Sequence, residues 1–338
     1  MSYRIHDQLN FKAIYVKDLV REDHPYRKIL KHIDFSQLAV EFRKYYSKHG
    51  GDSLGPEKAI RILILQFMED LSDRQMEAAL QENNAMKLFC GYELTDKTPD
   101  HSTFGKTRGR FGTKRMELIF KNVNHQLQRK GLIGRVFTFI DSTAIITKVQ
   151  TWDERDAALV KNLESFNNKT ADLVDTKTDS QARFGCKGKD KYWFGYKRHV
   201  AQDAKAGVIT KVAVTPANVT DAKGLKNVCP DQGMNLMDKA YSTKEAQKIT
   251  KMNNCHSGAI LKNNMKQKNF DKDRWLQKLR MPFEGVFAHQ NKRAKYRGTV
   301  KVQGQALMQA TAWNLKCLLR FAPYLEQRLL QNIQNVYQ

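Results

Sequence analysis

Cysteine is sparse, acid is outnumbered and no long apolar run occurs in this sequence. The 5 cysteines, Cys90, Cys186, Cys229, Cys255 and Cys317, are odd in number, scattered, and form no C-x-x-C pair. That pattern excludes a disulfide framework and predicts free thiols in a reducing, cytoplasmic compartment. Cys255 and His256 are neighbours, but adjacent residues seldom share a metal, so no zinc site is expected. The longest apolar helix candidate, Ala59 to Met68, is broken by Arg61 and Gln66 and ends at Glu69, too short to span a bilayer. The N-terminal stretch MSYRIHDQLN is polar and lacks the apolar centre of a signal peptide.

The shortage of acid leaves 58 Lys and Arg against 35 Asp and Glu, a formal net charge of +23 spread along the chain. Such a field favours a polyanionic partner. With 338 residues the chain can bury a sizeable core and form two domains, and 41% hydrophobic with 28% charged residues suits a globular protein.

Residues 1–130 read as an all-α domain with helix-length apolar periodicity. Pro56 opens a helix in KAIRILILQFMED, Ser72 caps DRQMEAAL, and a third helix follows in ENNAMKLFCGY, a helix-turn-helix type of arrangement. Asp100 caps a further helix carrying Ser102, Thr103, Lys106, Arg108 and Arg110. Hydroxyls and cations on one helix suit phosphates, although a solvated basic helix reads the same way.

From Gly131 the pattern changes to β-type runs, so residues 131–338 form a mixed α/β domain. VFTFI is a strand; YWFGYKRHVAQD and GVITKVAVTP form a hairpin around Ala204–Gly207; NVTDAKGLKNV is a crossover helix and NLMDKAYS a strand returning parallel beside the first. A long insertion at about 148–191 starts as a helix and ends as a basic loop. QALMQATAWNLKCLLRF is a C-terminal helix packed under the sheet, with Trp313 and Leu315 in the core.

Asp141 lies in the middle of the apolar run VFTFIDSTAIIT. A charge there is costly unless it is paired or holds a metal, so it marks either a sheet edge or chemistry. If the strands of Asp141 and Asp238 are neighbours, the two acids repel unless a cation joins them. Hard divalent ions take oxygen ligands, and two of them roughly 4 Å apart serve phosphodiester chemistry. Glu284, four residues after Arg280, is the candidate third ligand if Pro282 begins a helix there; a Glu that merely stabilises a helix dipole is the plainer alternative. Asp221 reads more simply as a helix cap, and His199, after Lys197 and Arg198, as a structural histidine. Lys187, Lys189 and Lys191 are phosphate contacts or solvated side chains.

Taken in order, PDHSTFGKTRGRF, FIDST, WFGYKRHV, VTPANVTD, LMDKAY and RMPFEGVFAHQNK resemble the DDE transposases of bacterial insertion sequences. REDHPYRKILKHIDF and ATAWNLKCLL are also similar to segments of that family, so the resemblance runs from about residue 10 to about 322. It implies an RNase H-like catalytic core, a metal-binding triad of Asp141, Asp238 and Glu284 holding two Mg²⁺ (or Mn²⁺) ions, and Arg280 and Lys292 gripping DNA phosphates. Lys197, Arg198 and the residues Ser102 to Arg110 named above are the other expected DNA contacts. The implied partners are the element's terminal inverted repeats, target DNA and a second copy of the chain in a synaptic complex, at the nucleoid of a bacterial cytoplasm. Two departures stand out: Gln277 occupies a position where some members carry Tyr, and the Glu284 to Lys292 spacing is one longer than the commonest form. A structure-selective nuclease of the same fold, a non-catalytic DNA-binding regulator and a degenerate transposase are the competing readings.

Overall fold

The computed structural model of the chain describes residues 14–46, 54–147, 179–187, 191–266, 268–287 and 291–336. They pack as two compact units, one of residues up to Gln66 with Leu71–Gly105, the other of Phe67–Asp70 with the residues from Lys106 onward. Most of the expected insertion, with Lys189 in it, lies outside the described residues, as do the side chains of Lys187 and Lys191.

Helices α1 (Pro25–His32), α2 (Phe35–Val40), α3 (Pro56–Met68) up to Gln66, α4 (Asp73–Glu82) and α5 (Asn84–Cys90) supply the first unit. Their ends follow local signals. Pro56 occupies the first position of α3, where its missing N–H costs nothing. The Gln75 N–H donates to Ser72 Oγ at 3.3 Å and the Ser72 N–H to Gln75 Oε1 at 2.9 Å, a reciprocal cap that starts α4. Gly91 closes α5 in the left-handed conformation, with φ 76°. Apolar side chains meet on Phe89, whose ring lies 5.2 Å from Tyr26 and 5.7 Å from Phe35.

The long helix α6 (His101–Arg129) is broken at Gly112, which has φ 59° and ψ 175°. The two units divide within α6, between Gly105 and Lys106, and not near residue 130, where the sequence pattern changes. The later turns of α6 belong to the second unit because Phe120 lies in its core and Asn124 Nδ2 donates to the Ile209 carbonyl at 3.0 Å.

A mixed six-stranded sheet organises the second unit, with β1 (Phe137–Ile146), β2 (Arg183–Lys187), β3 (Lys191–Asp203), β4 (Ile209–Pro216), β5 (Gly233–Met237) and β6 (Cys255–Ala259). The order is β2-β3-β1-β5-β6, and β4 runs alongside the C-terminal half of β3. β1 is antiparallel to β3 and parallel to β5, so the LMD strand returns beside the first as expected. Mixed pairing with helices on the sheet fits an α/β RNase H-like core.

The two faces are covered differently. The C-terminal helix, which is α10 (Thr299–Val336) in chain order, lays Val302, Ala306, Leu307 and Ala310 against Ile145, Tyr196 and Val200. It also serves the outer edge of β4. Gln303 accepts from the Val214 N–H at 2.6 Å and donates to the Val212 carbonyl at 3.0 Å, and Asn314 does the same for both polar groups of Ile209. Leu315 is fully buried, as expected, whereas Trp313 is only partly so and donates to the Gly207 carbonyl at 2.8 Å. On the opposite face Ile140, Ala201 and Met237 meet Ala222, Leu225, Tyr241 and Ala246. Ala222 belongs to α7 (Asp221–Gly224) and Ala246 to α8 (Lys244–Met252). The crossover helix is thus a single turn continued by a 3-10 turn at Leu225–Asn227, shorter than its sequence suggests.

Candidate active site

β1 pairs with β3 from Thr138 to Ile146 and with β5 over Phe137–Phe139, so Asp141 sits on an interior strand just past the end of the β5 ladder. In the parallel register Phe139 pairs with Leu236; Asp141 and Asp238, each two residues further on, therefore lie level on neighbouring strands. The Ser142 N–H donates to Asp141 Oδ1 at 2.8 Å. Asp238 follows the last residue of β5 and accepts from the Ala240 N–H at 2.9 Å, capping the turn Lys239–Tyr241. Burial pushes the Asp141 carboxyl up to about 6; the Asp238 and Asp221 charges push the same way, against the Ser142 N–H and the Arg280 guanidinium.

Arg280 closes α9 (Phe270–Arg280) and is 8% exposed. Its guanidinium stands 5.3 Å from the centre of the Phe139 ring and acts on Asp141 through its charge. Phe283 stacks on the same Phe139 ring at 6.0 Å, which brings the backbone of Glu284, the next residue, to this side of β1. The Glu284 side chain lies outside the described residues. Pro282 does not begin an α-helix: α9 ends at Arg280, and Met281–Phe287 is a tighter 3-10 segment. Lys292 is exposed, and its carbonyl accepts from the Ile146 N–H at 2.8 Å, fixing its backbone at the end of β1.

Two family models match the chain: one described as Transposase domain (DUF772) over residues 14–110, and one described as Transposase DDE domain over residues 134–315, more than half of the sequence. The chain belongs to the DDE transposases of insertion sequences. No solved structure matches it. Members of this family generally use divalent metal ions. The donor set of the transposase suits them: Asp141 and Asp238 offer only hard carboxylate oxygens, and the Asp238 charge favours a cation beside Asp141. Among the described residues no three His, Cys, Asp or Glu side chains converge as a complete ligand set.

Behind β1 lies an arrangement that sequence reasoning missed. Asp221 is not the cap of α7; Thr220 is, accepting from the Lys223 N–H at 3.4 Å. The Asp221 carboxylate turns to the strands instead, where Ser142 Oγ donates to its Oδ1 at 2.8 Å and Lys197 Nζ lies 3.0 Å from the same atom. Burial and the nearby Asp221, Asp141 and Asp238 charges hold the Tyr241 phenol well above its ordinary range. Ser142 and Lys197 are 55 positions apart in the chain, so only the β1–β3 pairing joins them.

Several expected DNA contacts of the transposase need correction. Arg198 is fully buried, donating to Gln309 Oε1 at 2.8 Å and to the Asn291 carbonyl at 3.0 Å, so it is a core residue that no phosphate reaches. Lys197, with only 13% of its side chain exposed, is committed to Asp221. The period of two along β3 carries the signal for this split, since adjacent residues point to opposite faces. His199 is buried and structural as expected, its Nε2 2.9 Å from Thr215 Oγ1. Ser102 and Thr103 donate their hydroxyls to Asp100, which caps α6 as expected and also accepts from the Thr103 N–H at 3.0 Å. Arg108 stands over the Tyr296 ring at 5.9 Å, whereas Lys106 and Arg110 are exposed. No helix among the described residues is long and apolar enough to cross a membrane.

Proposed function

We propose that this transposase binds the terminal inverted repeats of its insertion sequence, cleaves DNA at the element's ends and joins the released 3′-hydroxyl to target DNA. The observation that carries this reading is the placement of Asp141 on β1 beside Asp238 at the end of the neighbouring parallel strand β5, near enough for the Asp238 charge to act on the Asp141 carboxyl. Asp141, Asp238 and Glu284 would hold two Mg²⁺ (or Mn²⁺) ions. When bound, such ions activate the attacking oxygen and stabilise the leaving one in phosphodiester chemistry.

The chain's own groups do the rest. The Ser142 N–H orients the Asp141 carboxylate, and the turn at Lys239–Tyr241 does so for Asp238. Arg280 offers a cation beside Asp141 for a phosphate oxygen, and Lys292 a second at the end of β1. The N-terminal helices, with Lys106 and Arg110, grip the repeats, and the net charge of +23 makes binding fall steeply with salt. Two copies act together in a synaptic complex at the nucleoid of a bacterial cytoplasm.

Cleavage of an end-bearing duplex with Mg²⁺ tests the reading. Asp141→Asn is expected to bind the duplex as the wild type does and to lose cutting. Unchanged cutting would put the chemistry elsewhere, and absent wild-type cutting would favour a regulator. Pre-cut ends that yield hydrolysed but no joined products would favour a structure-selective nuclease.

A further inference from the structure

The two hydrogen bonds of Ser142 run in opposite directions through the sheet. Its N–H is used on Asp141 Oδ1 at 2.8 Å, while its hydroxyl reaches through the other face of β1 to Asp221 Oδ1 at 2.8 Å. Side chains alternate along a strand, so residues 141 and 142 point to opposite faces. The position of Ser142 is therefore the mechanical link between them.

Asp221 is held firmly on its side. Lys197 pairs with the same oxygen at 3.0 Å, and both side chains are mostly buried, at 13% and 25% exposure. The turn that carries Asp221 is pressed onto β3: a Cβ added at Gly224 would lie 2.1 Å from the His199 ring, so only glycine permits this approach. Thr220 takes over the capping of α7, which leaves the Asp221 carboxylate for the strand. Unpaired, such a mostly buried acid would be expensive; the ion pair with Lys197 offsets that cost and leaves Asp221 free to accept from Ser142.

We propose that Asp221 is a positioning residue for the Asp141 carboxylate, acting through Ser142 and neutralised by Lys197. This rests on the reading of Asp141 as a metal ligand given above. Partners that orient a ligand in this way alter metal affinity when they are lost, while the ligand itself remains in place.

Mn²⁺ binding to the full chain, measured by titration calorimetry, is the direct readout, with end cleavage against Mn²⁺ concentration beside it. Asp221→Asn and Ser142→Ala are each expected to weaken Mn²⁺ binding about tenfold and to raise the half-saturating Mn²⁺ concentration, with the rate at saturating Mn²⁺ little changed. The double variant should be no worse than the poorer single one, because both remove one link. Ser142→Thr, which keeps the hydroxyl, should bind as the wild type does. Asp221→Asn and Ser142→Ala indistinguishable from wild type, or a double variant showing the full product of the two losses, would overturn the assignment. Equal Mn²⁺ binding by wild type and Asp141→Asn, or none by either, would overturn the metal-ligand reading and this inference with it. Binding lost in Asp141→Asn but intact in Asp221→Asn would overturn this inference alone.

Discussion

On one face of β1 Asp141 has no ion-pair partner among the described residues, while behind the same strand Asp221 is matched by Lys197 3.0 Å away. The two carboxylates are close enough for the charge of one to raise the other. A buried acid that the fold neutralises is a structural member; one that the fold raises and leaves unmatched stores a preference for a cation from outside. The same contrast separates Lys197 from Arg198, adjacent in sequence: the first answers an acid, and the second is sealed into the core by Gln309 and Asn291.

The largest expected effect breaks the contrast at its centre. Asp141→Asn should lower end cleavage by about 10²–10³ or more with DNA affinity kept, as read from a cleavage time course and a binding isotherm. Next comes pH. Burial holds His199 down at about 4, with Asp221 opposing and Lys197 adding to the effect. An unfolded histidine titrates near 6.5, so below that pH the unfolded chain takes up a proton that the fold refuses. Stability should therefore fall as pH drops from about 6.5 and level off below about 4, a loss of about 3 kcal/mol that His199→Gln removes. Urea unfolding at a series of pH values measures it.

Arg198→Met should cost about 2 kcal/mol, by stranding the Gln309 oxygen and the Asn291 carbonyl, while cleavage per folded molecule stays near wild type. A large loss of DNA affinity in a folded Arg198→Met protein would return this residue to the DNA-contacting set. Gly224→Ala is the mildest probe, at about 1–2 kcal/mol, because the His199 ring must give way to the new methyl group. Its thermal midpoint should fall, and because the same turn carries Asp221, its Mn²⁺ dependence should shift in the direction expected for Asp221→Asn.

How much was readable follows from how local each signal is. Ser72 and Asp100 start helices through bonds to residues three positions on, Pro56 through its fixed φ and missing N–H, and all three were legible. So were the hairpin of β3 and β4 and the parallel return of β5. β2, with sequence RFGCK, was hidden in a stretch read as a basic loop, since a strand containing Gly185 lacks β-type alternation. Gly185 is there because the Trp193 ring would meet a Cβ at 2.4 Å, a demand set by a partner strand. β6, CHSGA, has no β-branched residue and is specified by pairing with β5. At the site, the neighbouring placement of Asp141 and Asp238 was legible from the apolar runs that carry them. The partnership of Ser142, Asp221 and Lys197 was not, because it exists only after β1, β3 and α7 have met.

The amides of Gln303 and Asn314 have one more implication. They occupy the N–H and C=O groups with which β4 could otherwise zip onto a foreign polypeptide, so that rim of the sheet is closed to strand exchange unless the last helix is first unseated. Edge-to-edge pairing of the kind that seeds fibrous aggregates is thereby blocked along this stretch of β4.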